Sequence, residues 1–211
     1  MAGTIGRRAV ERGEIAAAVG GAVLLTASWA VVVTRDDVPT AEVRAFVAAN
    51  GLPGALWPVV WAPVQAGSLV GSLLIVAATA AVTRRKRLTA AALLAGQGAY
   101  FGAKGVKHLA ARARPRELLP VVEVRERATG LGYLSGHSAV AFALATVLAS
   151  ELPGAWRVVP FAIAGVVGFG RVYAGVHLPL DVVGGVGLGL LAGIAARGAL
   201  GLGGPGARTT R

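Results

Sequence analysis

The chain of 211 residues carries 21 Lys+Arg against 10 Asp+Glu, a formal net charge of +11, yet only 15% of its residues are charged and 55% are hydrophobic. With a mean hydropathy of +0.67, this composition lies on the apolar side of globular usage and speaks against a soluble enzyme. The lack of Cys excludes disulfides, thiolate metal sites and cysteine nucleophiles. The basic residues gather between long uncharged runs and form no continuous face, which argues against a nucleic-acid partner.

The first uncharged run, 15–34, follows Arg7, Arg8 and Arg12. At about 20 residues it is long enough to cross a bilayer as a helix. It exceeds a signal-peptide core and leads into Arg35-Asp36-Asp37 rather than a small-residue cleavage site, so it reads as a retained helix. Thr40 is then expected to cap a short interfacial helix over 41–50, with Val43, Phe46 and Val47 on one face and Gly51 ending it. A second span is expected over 59–83, with Trp57 and Trp61 as an aromatic belt and Arg84-Arg85-Lys86-Arg87 at its end. A third covers 88–103, a fourth 136–150, a fifth 158–170 and a sixth 180–200, with Pro153-Gly154 marking a turn. Gly185, Gly189 and Gly193 recur every fourth residue in the last span and read as a stripe for close helix packing. The fold class is thus all-α: a polytopic membrane protein of six transmembrane helices, one domain over 1–211.

Six crossings put both termini on one side. The basic N-terminal segment, Arg84 to Arg87, Arg157, Arg208 and Arg211 share that side, which the positive-inside rule makes cytoplasmic. The opposite face then holds the loops 35–58, 104–135 and 171–179. Loop 104–135 runs against the rule, since Lys104, Lys107, Arg112, Arg114, Arg116, Arg125 and Arg127 outnumber Glu117, Glu123 and Glu126. Either these charges serve a bound anion or the orientation is inverted.

The histidines lie near this face. His177 is followed four residues later by Asp181, and on a helix such a pair shares a face, so the carboxylate can hold one ring nitrogen and leave the other free to attack. An ionisable group at the start of a membrane span is a functional candidate in its own right. Ser135-Gly136-His137 stands where the fourth helix begins, and unpaired amides at a helix N-terminus suit phosphate oxygens. His137 is then placed to protonate a leaving oxygen, and Lys107, Arg114 and Arg171 can clamp the anion. Lys104, one turn from Lys107, reads either as a helper or as a snorkelling side chain. His108, Arg112 and Arg116 read as loop residues, and Arg125 and Arg127 as lipid head-group contacts.

Lys107-x6-Arg114-Pro115, Ser135-Gly136-His137 and Arg171-x5-His177-x3-Asp181, in that order, resemble the three-part motif of the type-2 phosphatidic acid phosphatase superfamily, which also includes bacterial acid phosphatases and vanadium haloperoxidases. Leu134 stands where the family has Pro, and Gly170 where it has Ser, which removes one hydroxyl donor. The resemblance implies that His177 attacks phosphorus to give a phosphohistidine, that Asp181 holds its ring, and that His137 acts as general acid and later activates water. It implies that Lys107, Arg114, Arg171, Ser135 and Gly136 bind the phosphoryl oxygens, and it implies no metal or other cofactor. The expected function is hydrolysis of a lipid phosphate that reaches the site sideways from the bilayer of a bacterial plasma membrane. Candidate substrates are a polyprenyl diphosphate such as undecaprenyl diphosphate, phosphatidic acid and phosphatidylglycerol phosphate, the first favoured by analogy. A phosphotransferase with the same site and a non-catalytic lipid-phosphate binding or transport protein are the alternatives.

Overall fold

The long apolar runs fold as helix, the economical way for backbone in an apolar surrounding to satisfy its own N–H and C=O groups. The computed structural model describes the backbone of residues 2–202 and the side chains of 13–202, and no strand forms among the described residues. The helices are α1 (Ala2–Thr34), α2 (Thr40–Asn50), α3 (Trp57–Val64), α4 (Leu69–Thr83), α5 (Lys86–Ala110), α6 (Pro115–Leu118), α7 (Gly136–Ala149), α8 (Val158–Tyr173) and α9 (Pro179–Ala199). The side chains of Arg7, Arg8 and Arg12, and Arg208 and Arg211 altogether, lie outside the described residues.

At the centre stands α7, whose Ala139, Val140, Ala143, Leu144 and Val147 are buried in the main core as it packs against α9, α5 and α8. The α7–α9 approach depends on the glycine stripe: a Cβ on Gly189 would lie 2.5 Å from the Ala139 carbonyl oxygen and 2.8 Å from Phe142 Cβ. Gly185 and Gly193 meet α7 in the same way, while Gly187 turns to α1, where a Cβ would stand 2.6 Å from the Gly21 carbonyl oxygen. Without water to drive association, such close backbone packing is what holds membrane helices together.

Three stretches are long and apolar enough to cross a membrane, Gly13–Thr34, Gly154–Tyr173 and Pro179–Ala199, and the pair Thr40–Asn50 and Gly54–Gly67, bent by 74°, is a fourth candidate. With 15 and 14 residues, α4 and α7 fall short of the about 20 that a full crossing takes. At 25 residues, α5 is about 37 Å long. It continues past the expected end at 103, so Lys104 and Lys107 sit on its last turns rather than in a loop.

The second expected span, 59–83, is not one helix. Its first part ends at Val64, a 3₁₀ turn covers Gln65–Gly67, and Ser68 is extended, its Oγ accepting the Gly71 N–H at 2.9 Å to start α4. Pro63 lacks the N–H that would continue the ladder, and Gly67 lies so close to the His137 carbonyl that a Cβ would collide with it. The face expected of the interfacial helix also differs. Glu42, Phe46 and Asn50 are the buried residues of α2, whereas Val47 is exposed. Thr40 opens the helix without capping it, since Pro39 holds the N-cap position and no side-chain cap forms.

Candidate active site

Three chain reversals bring the motif residues to one end of the bundle. Ser135 is the N-cap of α7: its Oγ accepts from the Ser138 N–H at 3.4 Å and from the Ser138 hydroxyl at 3.0 Å. Its own N–H donates to the Asp181 carbonyl at 2.8 Å, which ties the start of α7 to the first turn of α9. After α8 the chain turns through Gly175, at φ 75°, where a Cβ would also strike the Glu123 carbonyl. The Val176 and His177 N–H groups both donate to the Arg171 carbonyl, at 3.3 and 3.2 Å, and Pro179 then opens α9.

That turn, rather than a shared helix face, creates the His177–Asp181 pair, because His177 precedes the N-cap Leu178. His177 Nδ1 lies 3.3 Å from Asp181 Oδ2, and the same oxygen accepts the Leu178 N–H at 2.9 Å, a carboxylate at N3 reaching back to the cap. Asp181 is fully buried and His177 nearly so. Burial first, then the charges of Lys107, Arg171 and Arg114, hold the His177 pKa well below the usual imidazole value. The ring is therefore neutral near pH 7, as a nucleophile requires.

Beside His177 opens a cavity of about 330 Å³ whose wall includes Lys107, Arg114, Gly136, His137 and Arg171. Of the eight catalytic and phosphate-binding candidates in the sequence, these six share the cavity, while Asp181 stands behind His177 and Ser135 is buried with its hydroxyl engaged in the cap. Two of the cations are held by backbone carbonyls and the third by a carboxylate. Lys107 Nζ donates to the Leu131 and Gly132 carbonyls at 2.8 and 2.9 Å. Arg114 donates from Nε, NH1 and NH2 to Gly130, Val176 and Thr129 at 2.9, 2.7 and 2.8 Å. Arg171 NH1 meets Glu126 Oε1 at 2.6 Å. Burial, then Arg114, lowers the Lys107 pKa to about 8. Among the described residues no group of three or more His, Cys, Asp or Glu side chains is placed to hold a metal ion.

Lys104 lies with its ammonium 4.7 Å from the centre of the Tyr100 ring, and both line the cavity together with Arg127. The broken second span contributes too, since Gly67, Ser68 and Leu69 form part of the wall. The departure at Gly170 has a packing reason: a Cβ there would collide with Val64 and lie 2.8 Å from Val60 Cγ1, so α3 occupies the space of a side chain. Leu134 is fully buried in the main core.

Several site residues were not legible in the sequence. Arg112, expected in a loop, donates to Glu42 Oε2 at 2.6 Å and to Asp181 Oδ1 at 2.9 Å. Arg125 does not face head groups: it donates to the Asn50, Tyr173 and Leu52 carbonyls and lies 4.0 Å from the Tyr173 ring centre. Asn50 joins the same strut, donating to the Glu123 and Tyr173 carbonyls and accepting the Glu123 N–H. The one available signal was Glu42, a carboxylate on an apolar helix that needs a partner when buried.

Residues 86–200, more than half of the chain and the part that holds all three motifs, match the PAP2 superfamily, and the chain belongs to that superfamily. The fold is similar to the crystal structure of LpxE from Aquifex aeolicus, at 25% identity and a TM-score of 0.70, over 76% of this chain and 97% of that one. It is also similar to the crystal structure of the first transmembrane PAP2-type phosphatidylglycerolphosphate phosphatase from Bacillus subtilis, at 24% identity and a TM-score of 0.68, over 88% of this chain and 94% of that one. No curated protein sequence matches. With its apolar helices, the chain is a membrane protein of the PAP2 fold.

Proposed function

We propose that the protein is an integral-membrane lipid phosphatase working through a phosphohistidine. The observation that carries this reading is the geometry of His177, backed at Nδ1 by Asp181 at 3.3 Å and opening on a cavity that His137, Lys107, Arg114 and Arg171 share. Nε2 of His177 attacks phosphorus, the P–O bond to the lipid breaks, and His137 gives the leaving oxygen its proton. His137 then takes a proton from water, whose oxygen displaces the imidazole and releases phosphate. Lys107, Arg114, Arg171 and the amides at Gly136 offset the charge on the equatorial oxygens, which makes the reaction independent of metal.

The charge of the cavity favours a diphosphate. Lys104 and Arg127 add to Lys107, Arg114 and Arg171, with Glu126 alone in opposition, an excess suited to two phosphoryl groups rather than one. Leu69, Tyr100 and Ala103 give the same wall an apolar part for the chain of an isoprenoid lipid. We further propose six crossings with both termini in the cytoplasm of a bacterium and the cavity on the outer side of the plasma membrane. From Lys86 to Lys107, α5 rises about 32 Å, close to the hydrocarbon thickness, so the Arg84–Arg87 cluster and the cavity belong to opposite faces. The short α7 is sheathed by α5, α8 and α9 and need not match the lipid by itself.

The test is phosphate release by detergent-purified protein in EDTA from farnesyl and undecaprenyl diphosphate, phosphatidic acid and phosphatidylglycerol phosphate, beside His177→Ala. The proposal expects release that ignores EDTA, requires His177 and is fastest on a diphosphate. Release preserved in His177→Ala, or lost in EDTA, contradicts it, and product found on an added alcohol instead of water makes the protein a phosphotransferase.

A further inference from the structure

A buried chain of charges runs from α2 to the reacting pair. Arg112 sits in its middle, with NH2 donating to Glu42 Oε2 at 2.6 Å and NH1 to both Glu42 Oε1 at 3.1 Å and Asp181 Oδ1 at 2.9 Å. Glu42 Oε1 also accepts the Leu180 N–H at 2.8 Å, so α2 grips the first turn of α9 directly. The side chains of Arg112, Glu42 and Asp181 are 9%, 2% and 0% exposed, and none of these bonds touches the cavity.

The arrangement solves an electrostatic problem. Asp181 has two oxygens: Oδ2 faces His177 Nδ1 and Oδ1 faces Arg112. A lone guanidinium on Oδ1 would neutralise the carboxylate and weaken its hold on an imidazole that becomes positive as it attacks phosphorus. Glu42 takes up the same guanidinium through both of its oxygens, so two carboxylates share one cation and the cluster keeps a net negative charge next to His177. The geometry is also fixed, because a fork bonded at both ends holds the Asp181 plane in one orientation.

We propose that Glu42 and Arg112 are positioning residues of the reaction: they aim Asp181 Oδ2 at His177 Nδ1 and leave its charge available to the imidazole. The assignment rests on the phosphatase reading above, and it makes α2 part of the active-site machinery. Without Glu42 the ring loses stabilisation only as it becomes charged, so the loss falls on turnover rather than on binding.

Steady-state kinetics on the full chain in detergent, with farnesyl diphosphate, separate this role from plain anchoring of α2. Glu42→Gln preserves the shape and removes the charge, while Arg112→Lys preserves the charge and removes the fork. Phe46→Ala, the control, cuts into the packing of the same helix at a fully buried residue clustered with Val172 and Leu178 and removes no hydrogen bond of the charge chain. The expected result is a fall in kcat of about 10-fold or more for both relay variants, the loss typical of partners behind a working imidazole, with KM nearly unchanged. Phe46→Ala is expected to lower the melting temperature and leave the kcat of folded protein intact. Wild-type kcat in the two relay variants, or an equal fall of kcat in Phe46→Ala, overturns the positioning role while the phosphatase reading stands. No turnover by the wild type of farnesyl or undecaprenyl diphosphate, phosphatidic acid or phosphatidylglycerol phosphate removes that reading and the relay with it.

Discussion

At His177 burial and the neighbouring cations act in the same direction. Its folded pKa lies below the unfolded value because burial, Lys107, Arg171 and Arg114 all oppose the imidazolium. Below about pH 6.5 the unfolded chain takes up a proton at this site that the folded chain refuses, so stability falls with pH there. Thermal melts in detergent are expected to show a shallower acid decline for His177→Gln than for the wild type, and parallel curves would contradict the assignment. On the alkaline side the ammonium of Lys107 is charged below about 8 and neutral above it. For the free enzyme kcat/KM is therefore expected to fall as pH rises through that value. Lys107→Arg, which stays charged, is expected to flatten the fall in a pH–rate profile. Gly170→Ser, which would supply the hydroxyl expected of the family motif, has no room against Val64. It is expected to reduce stability by about 1–3 kcal/mol, with Val64→Ala restoring the melting temperature. At this scale the sequence displayed the residues that touch the cavity, because spacing and residue type mark them. It concealed Arg112 and Glu42, whose meeting across 70 positions leaves no local pattern.

Hydropathy placed most helices well, since α7, α8 and α9 lie within three residues of the expected spans, whereas α1 begins at Ala2, ahead of the uncharged run 15–34. It failed at 59–83, where hydropathy is continuous but the backbone is not. Pro63, Gly67 and Ser68 mark the break, and its consequence is functional, because the interruption lays Gly67 against the backbone of His137. Gly67→Val is expected to push His137 away from the cavity and lower kcat more than it lowers the melting temperature, as kinetics on folded protein would show. An unchanged kcat would make the break a packing feature only. The face of α2 differs for a related reason: hydrophobic spacing points to Val43, Phe46 and Val47, of which Phe46 is buried and Val47 exposed, while the polar Glu42 and Asn50 have buried partners that sequence spacing does not reveal. Asn50 joins α2 to the loop that runs on to the cavity wall, so Asn50→Ala is expected to leave the half-buried Glu123 N–H and C=O without that partner, at up to about 1–3 kcal/mol for each unsatisfied group, and to lower the melting temperature accordingly.

Across the whole molecule, the basic excess of loop 104–135 finds its explanation inside the fold. Arg112, Arg114 and Arg125 are committed to carboxylates and carbonyls, so they do not act as the free loop charges that the positive-inside rule counts. The far end of the bundle is closed by the Arg85–Glu151 ion pair between the α4–α5 and α7–α8 turns. A chain without cysteine allows this orientation to be read directly. Val121 and Trp156 are 81% and 66% exposed and belong to the loop over the cavity and to the turn at the opposite end. A membrane-impermeant maleimide on intact cells is expected to label Val121→Cys and spare Trp156→Cys, and the reverse pattern would put the chemistry in the cytoplasm. The covalent intermediate on His177 is the central claim, and it can be observed by mass spectrometry of protein quenched during turnover of an aryl phosphate, whose leaving group needs no proton. A phosphoryl adduct is expected on the peptide carrying His177, accumulating in His137→Gln, where water is not activated, and absent from His177→Ala. Turnover with no adduct on His177, or with the adduct on another residue, would contradict it.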